Sequence, residues 1–239
     1  MRLEKNLKVS ASMTDSTSDL SVLGVFQTVE DVVTELMGRL KIDGLTARRK
    51  YGAVWLFVKN RIKLFKNIPW NDDGFKVVGF ITSITRATMS FDIALKNAAD
   101  EICAYARLEI CAIDLESGRI RKISTVGVDD TYTTEPPLID LHFDMADGAP
   151  LVEVDRVRVK YTNLDFSKHA NNKEYIRFII NTYSMHQMES RRIKEMEVRY
   201  INQSFENDEL IIKKGSVGNK DYFQVEKDDK PIVKCEITF

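Results

Sequence analysis

Helical periodicity followed by a long run of period-two alternation occurs twice along this chain, and that repeated order constrains the fold more than any other feature. In the first half Val25, Val29, Val32, Val33, Leu36 and Met37 recur at helical spacing, with Glu30, Asp31 and Glu35 on the opposite face. The period then drops to two. Val54 to Val58 is a nearly continuous apolar run, as in a strand buried on both faces. Met89, Phe91, Ile93 and Leu95 alternate with polar or small residues, and Ile102, Ala104, Ala106, Leu108, Ile110 and Ala112 alternate with Cys103, Tyr105, Arg107, Glu109 and Cys111. Asn97-Ala-Ala-Asp100 and Glu116-Ser-Gly-Arg119 read as the turns that close these hairpins.

The second half follows the same order. Val152, Val154, Val157 and Val159 mark a strand. Asn171 with Glu174 starts a helix, whose apolar stripe is Tyr175, Ile176, Ile179, Ile180 and Tyr183. Strand-like segments follow near 195–205, 208–216 and 220–239. Between the halves, Thr134-Glu-Pro-Pro-Leu and Asp147-Gly-Ala-Pro150 hold three of the five prolines, the densest breaker region in the chain. The expectation is an N-terminal domain over 1–135, a linker over 136–150 and a C-terminal domain over 151–239. Short antiparallel strands wrapped round one long helix describe an α+β hot-dog layer, and two in tandem describe a pseudo-dimer. The halves share an order of elements; no residue-level repeat is legible between them.

Composition narrows the function. Thirty-five Lys+Arg against 36 Asp+Glu leave a formal charge of -1, which argues against a dedicated nucleic-acid binder. Cys103, Cys111 and Cys235 are too few and too scattered for a disulfide framework or a paired-cysteine metal site, so no metal or other cofactor is expected. No apolar run approaches the roughly 18–20 residues of a membrane span. The opening Met1-Arg-Leu-Glu-Lys-Asn-Leu-Lys is basic without the apolar stretch of a signal peptide. A cytoplasmic protein is expected.

Chemistry-bearing residues converge at one place. Asp165-Phe-Ser-Lys-His169-Ala-Asn171-Asn172 gathers an Asp, a Ser, a His and two Asn just before a helix start. The unpaired N–H groups of a helix N-terminus favour developing negative charge, and an Asp four residues before a His can act as a base or orient the imidazole. Plain capping accounts for Asp, Ser and Asn equally well. His142 and His186 stand alone and read as solvated or core residues.

The segment Asp165-x-Ser167-x-His169-x-Asn171-Asn172-x-x-Tyr175 resembles the D-x-N-x-H-V-N-N-x-x-Y signature of acyl-acyl carrier protein thioesterases of bacteria and plant plastids, double hot-dog enzymes that hydrolyse fatty acyl thioesters. Trp55-Leu-Phe, Pro69-Trp70, Met89-Ser-Phe-Asp-Ile-Ala and the 102–114 strand follow the first-domain order of that family. Glu197-Val-Arg-Tyr-Ile-Asn-Gln203-Ser204 falls where the family has a strand ending in Glu-Cys or a similar pair. Two residues depart from the pattern: Ser167 replaces the usual Asn, and Gln203 the usual Glu, with Ser204 where some members have Cys. A neutral Gln orients water or a carbonyl but takes no proton at pH 7.

The resemblance implies hydrolysis of fatty acyl-acyl carrier protein to free fatty acid. Asp165 would activate water or attack directly to give an acyl-enzyme anhydride. His169 would fix the geometry, Ser167 would help hold the water, Gln203 would orient the reacting groups, and the helix N-terminus at Asn171 and Asn172 would stabilise the oxyanion. Val29, Val33, Met37, Trp55 and Phe57 are candidates for the acyl pocket, and equally for plain core. Acyl-coenzyme A hydrolysis is a second enzymatic reading, and non-catalytic acyl binding, prompted by Ser167 and Gln203, a third. The implied partner is an acidic carrier protein bearing an acyl-phosphopantetheine, and a homodimer is left open. Docking of an acidic partner calls for local positive charge, with candidates at Arg48-Arg-Lys50, Lys59/Arg61/Lys63, Arg156/Arg158/Lys160 and Arg191-Arg-x-Lys194.

Overall fold

The computed structural model describes residues 1–70, 74–129, 131–146 and 148–239; Asp147, at the end of the breaker region, lies outside them. The chain forms two compact units, Met1–His142 and Phe143–Phe239.

In the first unit, β1 (Arg2–Leu7) precedes α1 (Val22–Arg39) and α2 (Gly44–Tyr51). Then come β2 (Ala53–Leu64), β3 (Phe75–Ile84), β4 (Thr88–Lys96) and β5 (Ile102–Asp114). The strands lie in the order β1-β3-β4-β5-β2, every neighbouring pair antiparallel. Ser21 caps α1 by accepting the Gly24 N–H at 3.0 Å. The helix buries Val25, Phe26, Val29, Val32, Val33, Leu36 and Met37 against β1, β3, β4 and β5. It lies so close that a Cβ at Gly79 of β3 would sit 2.5 Å from Val32 Cγ1, so the sheet needs glycine there. Val29, Val33 and Met37 are all buried on this inner face of the helix.

Three features of this half were not legible in the sequence. The run Val54–Val58 is half-buried along β2, not buried on both faces, and burial shifts to Asn60, Arg61 and Ile62 beyond a bulge between Phe57 and Lys59. α2 carries no apolar stripe to announce it. It exists because Asp43 accepts the Leu45 and Thr46 N–H groups, both at 3.0 Å, and Gly52 ends it in the left-handed conformation at φ 60°. The face of β5 that carries Cys103, Tyr105, Arg107, Glu109 and Cys111 is also covered: Cys103 and Tyr105 are buried. Leu141 and Ile139, from the stretch expected to be linker, pack there against Val78, Phe80, Ala94 and Tyr105. Asp92 and Arg107, paired at 2.7 Å, anchor that strap. Arg107 also donates to the Leu141 carbonyl, and the Tyr105 hydroxyl bonds Asp92 while accepting the Leu138 N–H at 3.0 Å.

The second unit runs β6 (Val152–Arg158), α3 (Asn172–Ile180), α4 (Met185–Ser190), β7 (Glu195–Tyr200), β8 (Glu209–Val217), β9 (Lys220–Lys227) and β10 (Lys230–Thr238). Its order, β6-β8-β9-β10-β7, repeats the connectivity of the first unit strand for strand. The helices are unequal, 18 residues in α1 against nine in α3. Ser184 caps a separate helix with Gln187, so Tyr183 leaves the stripe and donates its hydroxyl to buried Asp221 at 2.7 Å. The 220–239 segment is two strands, because Asp228 and Asp229 both take positive φ (49° and 59°) in a two-residue hairpin turn.

Candidate active site

Residues 164–170 form a tight loop that delivers the sequence motif to the start of α3. Leu164 and Ala170 bridge its ends. The Asp165 N–H donates to the His169 carbonyl at 2.9 Å, and the Lys168 N–H to the Asp165 carbonyl at 3.0 Å, with Lys168 at φ 68° making the turn. This geometry draws three side chains into a chain of contacts. Asp165 Oδ1 accepts both the Ser167 N–H, at 2.7 Å, and the Ser167 hydroxyl, whose Oγ also lies 3.0 Å from His169 Nδ1. All three residues are half-buried.

A second loop braces the first. Ser204, fully buried, accepts the Ala170 N–H on its carbonyl at 2.9 Å. The Tyr175 hydroxyl lies 2.8 Å from Ser204 Oγ and accepts the Ser204 N–H at 3.1 Å. Burial pushes the Tyr175 hydroxyl above its ordinary range, against the lowering by its bonds to Ser204, so it is a neutral donor and acceptor at working pH. The loop so held places the Phe205 ring edge-on to His169, centroids 4.9 Å apart at 76°. Gln203 is exposed on this loop and enters none of these bonds. Tyr175 was legible as an apolar helix position and the last residue of the motif, and Ser204 as a Cys-equivalent; their burial against each other makes them the site's brace.

The N-terminus of α3 is largely used by its own cap. Asn171 Oδ1 accepts the Lys173 N–H at 3.1 Å, the Asn171 carbonyl accepts the Glu174 N–H at 2.9 Å, and the Asn171 N–H donates to the Asn163 carbonyl at 2.8 Å. Of the N–H groups offered by Asn171 and Asn172, that of Asn172 has no bonded partner among the described residues.

The first unit contains a near-copy of the loop. Asp15, Thr17, Asp19 and Ser21 stand to α1 as Asp165, Ser167, His169 and Asn171 stand to α3. The Asp15 N–H donates to the Asp19 carbonyl at 3.0 Å, Ser18 takes φ 63°, and Asp15 Oδ1 accepts the Thr17 N–H at 2.9 Å and its hydroxyl at 2.6 Å. The turn is therefore repeated in structure, although of the four positions only the aspartate is the same residue in both units. Its short polar side chains satisfy the same backbone turn in both units, but they are too few to register against unrelated strands. Asp19 occupies the histidine position, and Asn67 donates to it.

Other candidates separate from the site. His142 is exposed and 2.7 Å from Asp140, and His186 is exposed on α4. All three cysteines are buried thiols; burial raises Cys111 and raises Cys235 well above the ordinary range, which removes them as nucleophiles. Three of the four basic clusters are engaged within the protein. Lys59 pairs with Glu109 at 3.1 Å, and Arg61 is buried on the His142 carbonyl. Arg156 pairs with Glu153 and Glu209, Arg158 faces Glu209, and Arg191 meets Asp221 and the Phe239 ring. Arg48, Arg49 and Lys50 of α2 are exposed, and among the described residues no ion pair holds them. Trp55 and Phe57 are half-buried on β2, Trp55 donating to the Ile42 carbonyl at 2.6 Å. Among the described residues no three His, Cys, Asp or Glu are grouped to hold a metal ion, and no described helix is long and apolar enough to cross a membrane.

Residues 151–234 match the family model of the acyl-ACP thioesterase C-terminal domain. The whole chain is similar in structure to an acyl-ACP thioesterase from Bacteroides thetaiotaomicron, with TM-score 0.88 and 17% identity over 100% of this chain and 97% of that one. It is also similar to a 12:0-ACP thioesterase from Umbellularia californica, with TM-score 0.80 and 15% identity over 99% and 96% of the two chains. At such identities the likeness establishes the fold, an α+β hot-dog type. No curated protein matches the chain in sequence.

Proposed function

We propose that this protein hydrolyses the thioester of fatty acyl-acyl carrier protein, releasing free fatty acid in the cytoplasm, a reading supported by the match of residues 151–234 to the family model of the acyl-ACP thioesterase C-terminal domain. The observation that carries the reading is the continuous contact Asp165–Ser167–His169 immediately before the N-terminus of α3. Water activated by this cluster attacks the thioester carbonyl, and the Asn172 N–H stabilises the oxyanion. Thiolate is a good leaving group, so the site needs little further acid assistance. Gln203 supplies no proton acceptor to the cluster, which accords with its exposed position.

The acidic partner docks on α2, whose Arg48, Arg49 and Lys50 are exposed cations without an ion pair among the described residues. Trp55 and Phe57, half-buried on β2, are the better-placed members of the expected acyl-pocket set, since Val29 and Val33 are committed to the core. The test is thiol release by the purified protein from medium- and long-chain acyl carrier protein and acyl-coenzyme A. Turnover of the carrier-bound substrates is expected to exceed that of the coenzyme A esters. Tight acyl binding without release from either donor would replace this reading with a non-catalytic acyl binder.

A further inference from the structure

Resting on the hydrolytic reading of the same site, we propose that Ser167 is a positioning residue that holds His169 in the tautomer protonated on Nδ1, leaving Nε2 as the base that activates water. A serine hydroxyl has one proton and a carboxylate is acceptor-only. Ser167 Oγ bonds Asp165 Oδ1, which also accepts the Ser167 N–H at 2.7 Å, so the hydroxyl proton points to Asp165. Toward His169 Nδ1, 3.0 Å away, the same oxygen can then only accept. Nδ1 must carry the proton, and a neutral imidazole has only one. Nε2 is left with its lone pair free, and Phe205, edge-on at 4.9 Å, holds the ring plane.

This changes the role of Asp165. Its Oδ1 is occupied by two donors, and its charge supports the protonated imidazole through Ser167. In the reaction, water gives a proton to His169 Nε2 as its oxygen bonds to the thioester carbonyl carbon. The tetrahedral intermediate then expels the thiolate, the C–S electron pair leaving with sulfur, and the Nε2 proton passes to that sulfur. Acid and thiol are released, and His169 returns neutral.

The copy of the loop in the first unit indicates what Ser167 can be exchanged for. There Thr17 holds the same place, with Oγ1 2.6 Å from Asp15 Oδ1 and 3.2 Å from Asp19 Oδ2. Threonine therefore fits the turn and presents its hydroxyl in the same direction, so Ser167→Thr is the conservative variant and Ser167→Ala the disruptive one.

The experiment is nitrogen NMR of the full chain labelled with 15N-histidine, at a pH where imidazole is neutral, with His169→Gln assigning the signal. Wild type is expected to show protonated Nδ1 and bare Nε2. Ser167→Ala should revert to the Nε2–H form that free imidazoles prefer and lose kcat by about 10²-fold with KM nearly unchanged. Ser167→Thr should keep both the tautomer and the rate. An Nε2–H tautomer in wild type, or an unchanged tautomer in Ser167→Ala, overturns the proposal. A wild type that shows the Nδ1–H tautomer but releases no thiol defeats the hydrolytic reading, and the base role with it, by a separate measurement.

Discussion

Replacing Tyr175 by Phe removes one oxygen, but that oxygen holds both the hydroxyl and the N–H of fully buried Ser204. A buried amide left without a partner costs about 1–3 kcal/mol, so Tyr175→Phe should lower unfolding stability by that amount in urea melts. It should also slow thiol release, because the Ser204 loop carries Phe205 against His169. His169→Ala removes the base itself, and Asp165→Asn removes the charge that supports it through Ser167. Each should reduce kcat roughly 10²–10⁴-fold with thermal stability little changed, and wild-type-like turnover in either would remove that residue from the site. The motif was legible as a row of residues, and the expectation that Ser167 holds water came from its type alone. Its place between Asp165 and His169 follows from the Lys168 turn, a backbone conformation that no composition rule announces.

At the level of elements, the strap over the first sheet depends on one buried ion pair. Arg107 is held on Asp92 and in turn holds the Leu141 carbonyl. Arg107→Met should destabilise the protein by about 3–5 kcal/mol, since it leaves a carboxylate buried without its charge partner; chemical denaturation measures this. The alternation along β5 was correctly readable as a strand. Its covering was not, because a proline-marked stretch carries no periodicity to show that it packs. α2 was hidden for a related reason: its amphipathic signal is weak, and only Asp43 and Gly52 mark its ends. If its cations dock an acidic partner, Arg48→Glu with Arg49→Glu and Lys50→Glu should lower kcat/KM for carrier-bound substrate by about 10-fold or more at low salt. The same change should leave acyl-coenzyme A turnover close to wild type and weaken the salt dependence of the reaction.

For the whole molecule, the nearly neutral net charge conceals an uneven distribution of buried carboxylates. In the second unit, burial raises Asp221, but hydrogen bonds from Ser216, Tyr183 and Lys214 outweigh it, and the carboxyl is held below the ordinary value of 3.8. Burial likewise raises Glu226 but is outweighed by Lys213 and Gln224, which hold it below 4.5. A carboxylate with a depressed folded-state value contributes stability that is present above its unfolded value and lost as pH falls through the folded one. The second unit should therefore lose protection below about pH 4, read by amide exchange over β8–β10, and Asp221→Asn should flatten that acid limb of the Tm profile.

Read alone, the chain determined its two-part order, the two central helices, the strands other than β1 and β3, the motif at Asp165–Tyr175 and the family that motif resembles. All of these rest on local spacing and residue type. What only the tertiary structure decided is which groups meet across large sequence separations. It covered the polar face of β5, engaged three of the four basic clusters internally, and buried Ser204 against Tyr175. It also revealed the loop of Asp15–Ser21 as a copy of the loop before α3. The physical reason is that periodicity records which side of an element faces inward, whereas hydrogen-bond partners and charge neutralisation depend on what the opposing element brings. That is set by the packing of residues distant in sequence.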